Sequence, residues 1–462
     1  MDYDKLLNEI KRIHFIGIGG SGMCPIAEIL MSEGFEISGS DMNEGETLDK
    51  MKSYGIPVYM GHAAENIKGA ELVVYSAAVK ETNPERKAAV EQGVPCIERS
   101  VMLGVVTRRY KRSIAVAGTH GKTTTTSMLS CILLEADLDP TISVGGILKE
   151  IGGNIRVGSS ENFVAEACEY TNSFLSLKPR YGLILNIDAD HLDFFKDLDD
   201  IRHSFHRFAR NIQKGGTLII NAQIPHLSEI TEGIDASIIT YGTEDSDYWP
   251  TEIRYDNFGI GSFNLYHKGR DLGRFTLRVP GEHNIYNAAC AIATADLMGV
   301  SMDECRRGLL EFHGADRRFQ VKGQLRCGAS VIDDYAHHPT EIRATLEAAK
   351  NYPHNRIWCV FQPHTYTRTK ALMSGFADAL SLADEVVLAP IYAARETNTL
   401  GISSDTLRQN IANLGTDAYY LPSFRQIEDF LRKRVQKDDL VITMGAGDVV
   451  QIGEDLLASE AE

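Results

Sequence analysis

A chain of 462 residues, 43% of them hydrophobic, is too long for one core and suits two to four domains, each able to bury its own interior. Lysines and arginines number 47 against 63 aspartates and glutamates, a formal charge of −16; this excludes a broad nucleic-acid face, because neutralising phosphates needs a basic surface, and confines any anion to a local pocket. The eight cysteines lack the paired short spacings of a zinc site, which predicts free thiols in a reducing compartment.

In chain order, the opening MDYDKLLNEIKR mixes charge with apolar residues and lacks the apolar core of an export signal. No apolar run reaches the roughly eighteen residues of a membrane span, so a soluble, cytoplasmic protein with no membrane contact is expected. From Arg12 to Ile18 a β-type run leads into Gly17-Ile18-Gly19-Gly20-Ser21-Gly22, and a helix follows from Met23 to Glu33. A second strand, Phe35 to Ser40, ends at Asp41, and Leu72 to Ser76 and Pro95 to Ile97 continue the β/α alternation of a parallel sheet. This is the dinucleotide fingerprint, in which a glycine turn takes a diphosphate and the acid holds a ribose. Alone it does not separate NAD from a UDP-sugar, or either from a glycine turn without a ligand. Residues 1–108 read as a Rossmann-like domain.

The basic break Arg108-Arg109-Tyr110-Lys111-Arg112 opens a second α/β domain, 109–315, whose first strand is Ser113 to Ala117. Gly118-Thr119-His120-Gly121-Lys122-Thr123-Thr124 lies between that strand and a helix starting near Thr123. Polyphosphate binding needs this arrangement: converging backbone N–H groups, a helix N-terminus, a lysine for the outer phosphates and a hydroxyl for Mg²⁺. The usual P-loop spacing puts a glycine where Val116 stands, so only the Gly-Lys-Thr core is met. Strands at Asn162 to Ala165, Tyr181 to Asn186 and Thr217 to Asn221 extend the sheet, while Phe263 to His267 and Arg274 to Val279 flank Lys268-Gly269 as a small antiparallel addition. Further metal ligands belong at the carboxyl ends of neighbouring strands. Two segments qualify: Val164 to Glu169, with Glu166, and Asn186 to Asp193, with His191. Pro280 to Asn287 opens an alanine-rich helix with Asn284 and Asn287 on one face; an N-cap is the alternative role for Asn284.

After Gly314-Ala315-Asp316-Arg317-Arg318 the rhythm restarts in a third domain, 316–462, with strands at Ala329 to Ile332, Ile357 to Phe361, Glu385 to Pro390 and Leu440 to Met444. Between the first of these and a proline-started helix, Asp333-Asp334-Tyr335-Ala336-His337-His338-Pro339-Thr340-Glu341 gathers acids, a tyrosine and two histidines; a polar pocket is the reading, helix capping the alternative. The acidic tail, Ala458 to Glu462, is expected to fray.

Gly-Thr-x-Gly-Lys-Thr-Thr at this shortened spacing resembles the phosphate loop of the Mur ligases and the folylpolyglutamate synthases. The segments Asp333 to Glu341, Phe361 to Thr369 and Met444 to Asp448 extend the Mur ligase resemblance through all three domains. It implies a UDP-binding N-terminal domain using Gly17, Gly19, Gly20, Ser21, Gly22, Asp41 and Ser76. It implies an ATP site made of Gly118, Thr119, His120, Gly121, Lys122, Thr123, Thr124, Asn284, Asn287 and Arg318, the arginine meeting the γ-phosphate or acyl phosphate, a duty its permanent charge and bidentate geometry suit. Mg²⁺ is implied on Thr123, Glu166 and His191. Several relatives carry a carbamoylated lysine on the next helix; His203, His206 and Arg207 occupy that stretch here, which leaves open how a second Mg²⁺ is held.

The histidine pair is closest to the branch that joins L-alanine to the lactyl carboxylate of UDP-N-acetylmuramate through an acyl phosphate, the first amino-acid addition in peptidoglycan precursor synthesis. For that branch the resemblance implies Tyr335, His337 and Arg368 around the amino acid and Lys122, His337, Arg318 and Asp334 in catalysis. Some relatives have arginine where Thr365 stands, so the carboxylate clamp rests on Arg368. A monomer or homodimer is expected. The nearest alternative is a Mur-type ligase adding a preformed peptide to the same sugar nucleotide. An NAD-binding oxidoreductase fits the first glycine loop and Asp41 but leaves Lys122, Glu166 and the histidine pair unexplained; a P-loop switch protein is disfavoured by the loop spacing.

Overall fold

The computed structural model describes residues 2–394 and 396–459, so the end of the acidic tail, 460–462, lies outside the described residues. The chain forms two compact units, Met1–Gly118 with Leu133–Leu185 and Arg202–Ile239, and Thr119–Ile132 with Asn186–Ile201 and Thr240–Glu462. Among the described residues no helix is long and apolar enough to cross a membrane.

The first unit begins with a five-stranded sheet, β1 (Arg12–Ile16), β2 (Glu36–Asp41), β3 (Val58–Met60), β4 (Leu72–Tyr75) and β5 (Cys96–Glu98), in the order β3-β2-β1-β4-β5. Every pair is parallel. The central strand reads Ile13, His14, Phe15, Ile16 without alternation because both of its faces are covered, and all four side chains are buried. The helix Cys24–Ser32 starts on Pro25 and buries Ile26, Ile29 and Leu30, the i, i+3, i+4 stripe that docks on the sheet. Gly39 on β2 lets the first glycine loop close down: a Cβ there would stand 2.6 Å from Cβ of Ile18.

The same unit holds β6 (Arg112–Ala117), β7 (Thr141–Leu148), β8 (Gly153–Arg156), β9 (Asn162–Ala167), β10 (Tyr181–Ile184) and β11 (Thr217–Asn221), ordered β11-β10-β6-β9-β7-β8. Its pairs are parallel except β7 with β8. Strand β10 stops at Ile184, two residues before the expected end, which releases Asn186 into the loop that follows.

The second unit takes over within β12 (Ser237–Tyr241), whose Tyr241 pairs with Tyr248 of β13 (Tyr248–Tyr255). With β14 (Ile260–His267) and β15 (Arg270–Pro280), β13 makes an antiparallel meander. The expected hairpin is there, and β13 is a third strand beside it. The last sheet contains β16 (Gln320–Gln324), β17 (Ser330–Asp334), β18 (Ile357–Phe361), β19 (Glu385–Leu388), β20 (Asp417–Tyr420) and β21 (Leu440–Met444), ordered β16-β17-β21-β18-β19-β20, with only β16 antiparallel. The α/β class and its parallel sheets follow the β/α rhythm of the sequence.

Because Gly39 has no room for a methyl group, Gly39→Ala should cost about 1–3 kcal/mol by overpacking and lower the thermal midpoint by several degrees. An unchanged melting curve would show that Ile18 gives way freely.

Candidate active site

The apolar strand β6 delivers the chain to Gly118, and the helix Lys122–Glu135 begins only four residues later. Between them Asn186 holds the turn from outside. Its carbonyl oxygen accepts from the Thr119 N–H at 3.2 Å, its Oδ1 from the His120 N–H at 2.8 Å, and its Nδ2 donates to the His120 carbonyl at 3.0 Å. The Asp188 N–H donates to Thr119 Oγ1 at 2.9 Å. Gly121 is at φ +83°, and a Cβ there would lie 2.8 Å from Asn287 Oδ1, so backbone conformation and space both require glycine. Lys122 folds back, its Nζ donating to the Thr119 carbonyl at 3.0 Å. Asn287 Nδ2 donates to Asn284 Oδ1 at 3.1 Å, and Asn284 Nδ2 to the Pro280 carbonyl at 2.7 Å. Gly281, not Asn284, is the N-cap of that helix.

A cavity of about 260 Å³ opens on this loop. His120, Gly121, Thr123 and Thr124 form one wall; Asn284 and Asn287 line it, as do Arg318, Asp334 and Glu341. Val279, Pro280, Phe312 and Phe319 supply its apolar lining. A flat apolar group beside an anion-binding turn is what a nucleotide needs.

The electrostatics centre on His120. Its Nδ1 lies 3.3 Å from Glu341 Oε1 and its Nε2 3.2 Å from Asp188 Oδ2. Burial works against a charged ring, but the hydrogen bonds to Asp188 and Glu341 outweigh it and push His120 up to about 9. Asp188 is held well below the usual carboxylate range by His120, with burial opposing and Thr340 adding a hydrogen bond. Burial pushes Asp334 up to about 6 against the pull of Arg318. Both Asp334 oxygens are used locally, Oδ1 accepting from the Ala336 N–H at 2.7 Å and Oδ2 from the Phe319 N–H at 2.8 Å. The two arginines divide their work. Arg317 bonds Asp333 at 2.9 Å and the carbonyls of Gly445 and Gly447, while Arg318 lines the cavity 3.6 Å from Glu341.

His120, Asp188 and His338 are spaced as metal ligands could be. Their nitrogens are already engaged: His338 Nδ1 accepts the Thr340 N–H at 3.3 Å, which puts the proton on Nε2, 3.1 Å from the Ala189 carbonyl. We read the cluster as a hydrogen-bond network.

Tyr335, His337 and Arg368 gather outside the cavity lining. The rings of Tyr335 and His337 are 5.3 Å apart, and His337 faces His364 at 6.0 Å. His337 Nδ1 lies 3.0 Å from the Tyr335 carbonyl and 3.3 Å from Glu341 Oε2, both acceptors, so the proton resides on Nδ1 and Nε2 carries the lone pair. Burial lowers His337 to about 4, which keeps the ring neutral at pH 7. Arg368 donates to Asp190 Oδ1 from Nε at 3.2 Å and Nη2 at 3.0 Å. His191 adjoins that pair, its Nε2 3.7 Å from Asp190 Oδ2.

In the first unit, Gly17, Gly19, Gly20, Asp41 and Ser76 line a second cleft of about 560 Å³. Ser21 and Gly22 are not in its lining; the Ser21 carbonyl instead accepts from Asn154 at 3.1 Å. Asp41 Oδ2 accepts the Gly19 N–H at 2.9 Å. Glu166 also belongs to this unit, one oxygen accepting the Gly145 N–H at 2.5 Å. A Cβ on Gly145 would come within 2.8 Å of its other oxygen, so the glycine leaves that carboxylate room.

Asn186, Asp188 and Glu341 escaped the sequence reading as working residues. Glu341 had one signal, its position four residues after His337 at the start of a helix; the partners of Asn186 and Asp188 are distant in sequence.

Three family models match successive segments: "Mur ligase family, catalytic domain" over 12–111, "Mur ligase middle domain" over 116–295 and "Mur ligase, glutamate ligase domain" over 317–447. The chain is 56% identical to the UDP-N-acetylmuramate--L-alanine ligase of Agathobacter rectalis, over 96% of this chain and 97% of that one. Among solved structures it is similar to UDP-N-acetylmuramate-alanine ligase MurC from Thermotoga maritima, with a TM-score of 0.80, 30% identity and 97% and 99% of the two chains covered. The murein peptide ligase from Psychrobacter arcticus is similar at a TM-score of 0.70 and 25% identity, with 98% and 99% covered.

The paired His120 carries a pH signature. Its value is raised above the ordinary 6.5, so its contribution to stability is fully present below about pH 6.5 and lost as pH rises through about 9. The gap in thermal midpoint between the wild type and His120→Gln should be widest near pH 6 and close by about pH 10. A gap independent of pH would mean that the imidazolium pair is absent.

Proposed function

The chain belongs to the Mur ligase family, and we propose that it uses ATP to join L-alanine to the lactyl carboxylate of UDP-N-acetylmuramate. The observation that carries this is the wall shared by one cavity: a phosphate loop that tolerates no side chain at Gly121 borders the same space as Arg318 and Glu341. Near-full-length similarity to L-alanine ligases supports the branch. We assign residues 1–108 to the sugar nucleotide, through the cleft at Gly17 to Gly20, Asp41 and Ser76, with Ser21 and Gly22 shaping the turn. Residues 109–315 hold ATP, and 316–462 complete the ATP site and bind the amino acid. A cytoplasmic location suits an enzyme that consumes ATP.

In the first step a lactyl carboxylate oxygen attacks the γ-phosphorus; the bond to the β-phosphate oxygen breaks, leaving an acyl phosphate and ADP. Two anions must meet. Lys122 and Arg318 offset the repulsion and hold the equatorial oxygens of the transferring group. Converging N–H groups from Gly118 to Thr124 seat the phosphates, and Asn284 and Asn287 line the adenine end. Of the residues implied for Mg²⁺, Thr123 and His191 belong to the second unit and Glu166 to the first; the hydroxyl and the carboxylate are the hard oxygen donors that Mg²⁺ prefers, and Gly145 leaves the Glu166 carboxylate room. A bound ion would neutralise phosphate charge.

In the second step the alanine amine attacks the acyl carbon, phosphate leaves, and one amine proton must depart. His337 has the geometry of an oriented base: Glu341 and the Tyr335 carbonyl fix Nδ1–H, so Nε2 receives the proton. Arg368 takes the alanine carboxylate, sharing it with its present partner Asp190. Asp334 acts by positioning, since its carboxylate holds the backbone N–H groups of Phe319, next to Arg318, and of Ala336, next to His337.

Incubation with ATP, Mg²⁺, UDP-N-acetylmuramate and mixed amino acids should yield UDP-N-acetylmuramoyl-alanine by mass spectrometry. Lys122→Ala and Arg318→Ala should each lower kcat/KM by roughly 10²–10³-fold or more. Undiminished turnover in Lys122→Ala, or a product carrying a peptide in place of alanine, would defeat the assignment.

A further inference from the structure

A strained turn lies beside the residues assigned to the amino acid and has no part in the chemistry above. Thr365 stands at φ +62°, ψ 147°, at the edge of a region essentially reserved for glycine and costly for a β-branched side chain. The helix Tyr366–Ala371 starts from this residue, and the threonine side chain makes no capping bond to it. Such a conformation lasts only where its surroundings over-determine it. Here the Thr365 N–H donates to the Tyr392 carbonyl and the Tyr392 N–H to the Pro363 carbonyl, both at 2.8 Å. The His364 ring stacks on the Tyr392 ring, with centroids 5.6 Å apart.

The missing cap comes from further along the chain. Glu396, in the loop after β19, accepts the Tyr366 N–H at 2.7 Å and the Thr367 N–H at 3.0 Å on one oxygen, Oε2, and the Thr367 hydroxyl on the other. These N–H groups are the orphan donors of a first turn, and a helix of six residues has too few internal bonds to fix its own direction. Burial pushes the Glu396 carboxyl up, but hydrogen bonds from Thr367 and Tyr366 bring it below its ordinary range. The same turn carries Arg368, whose Nε and Nη2 hold Asp190 and whose Nη1 donates to His364 Nδ1 at 3.4 Å. Arg368 is therefore held at its tip by Asp190 and at its root by Glu396. Once an incoming carboxylate shares the guanidinium with Asp190, the root decides where the fork points.

We propose that Glu396 is a positioning residue for the amino acid: by capping the helix Tyr366–Ala371 it aims Arg368 at the incoming carboxylate, and it touches neither substrate nor the reacting atoms. A bidentate contact depends steeply on aim, since a displacement of about 1 Å can cost on the order of 10²-fold. The inference rests on the reading of Arg368 as the partner of that carboxylate.

Initial rates of ADP release, with L-alanine, ATP and UDP-N-acetylmuramate varied in turn, test it. Glu396→Ala should raise KM for L-alanine about tenfold or more. Its kcat and the other two KM values should stay within about twofold of wild type, because what is lost is amino-acid binding made equally in ground and transition states. Glu396→Gln keeps one oxygen for the two N–H groups and offers its amide to the Thr367 hydroxyl, so it should recover most of the affinity. Arg368→Lys keeps the charge but not the fork; in that background Glu396→Ala should add no more than about a further twofold. An unchanged KM for L-alanine in Glu396→Ala, or a rise shared equally by all three substrates, would overturn the proposal while leaving Arg368 in its role. An unaltered KM for L-alanine in Arg368→Ala would overturn both. Should Glu396→Ala fail to fold, Glu396→Asp decides, being one methylene too short to reach both N–H groups: a rise in the L-alanine KM alone supports the cap, and an unchanged one removes it.

Discussion

A half-buried imidazolium between two carboxylates ties together three segments of the second unit. His120 comes from the phosphate loop, Asp188 from the loop after β10 and Glu341 from the helix after β17, so one cation joins segments separated by about 70 and 150 residues. All three are only half-buried, so the charges are partly screened by solvent, and it is the pairing of the ring with both carboxylates that holds them together. The trio makes each segment's position a condition of the others'. Its consequence is geometric: Glu341 orients His337 on one side and stands near Arg318 on the other, which links the cavity at the phosphate loop to the group of Tyr335 and His337.

Much of the fold was legible because its strands are local and strongly marked. Buried parallel strands such as Ser113 to Ala117 and Leu440 to Met444 are short, mostly apolar runs broken only by Ser113 and Thr443, and their length between turn signals suits a strand buried on both faces. Strand β13 was not legible. It contains Pro250 and carries Glu252 at a positive φ, both of which argue against a strand when read locally; pairing to β14 overrides them. β7 and β8 were hidden by Gly145, Gly146, Gly152 and Gly153, whose turn-like composition masks a ladder formed with β9 and between the two strands themselves.

The site divides along the same line. The two glycine turns were readable, since the requirement for a bare backbone beside an anion is written in consecutive residues. Their supports were not. Asn186 bonds both sides of His120 across 66 residues, and nothing near position 186 announces a partner at position 120. Arg317 and Arg318 look alike in sequence, yet one is consumed by Asp333 and two carbonyls while the other faces the cavity. Arg317 and Phe319, on either side of Arg318, both take a positive φ, a backbone property that composition does not encode.

A net charge of −16 sets the terms on which such a protein can hold polyanions. At physiological ionic strength the field of distant carboxylates is screened within about 8 Å, so it neither steers a triphosphate in nor prevents its capture. What remains is short-ranged: Arg318 and the start of the phosphate-loop helix in the lining of one cavity, and a glycine turn with almost no cationic side chains at the other. In the first cleft the acid Asp41 stands beside the turn and Lys80 is the one cation in the lining. Affinity there must come from directed hydrogen bonds more than from charge.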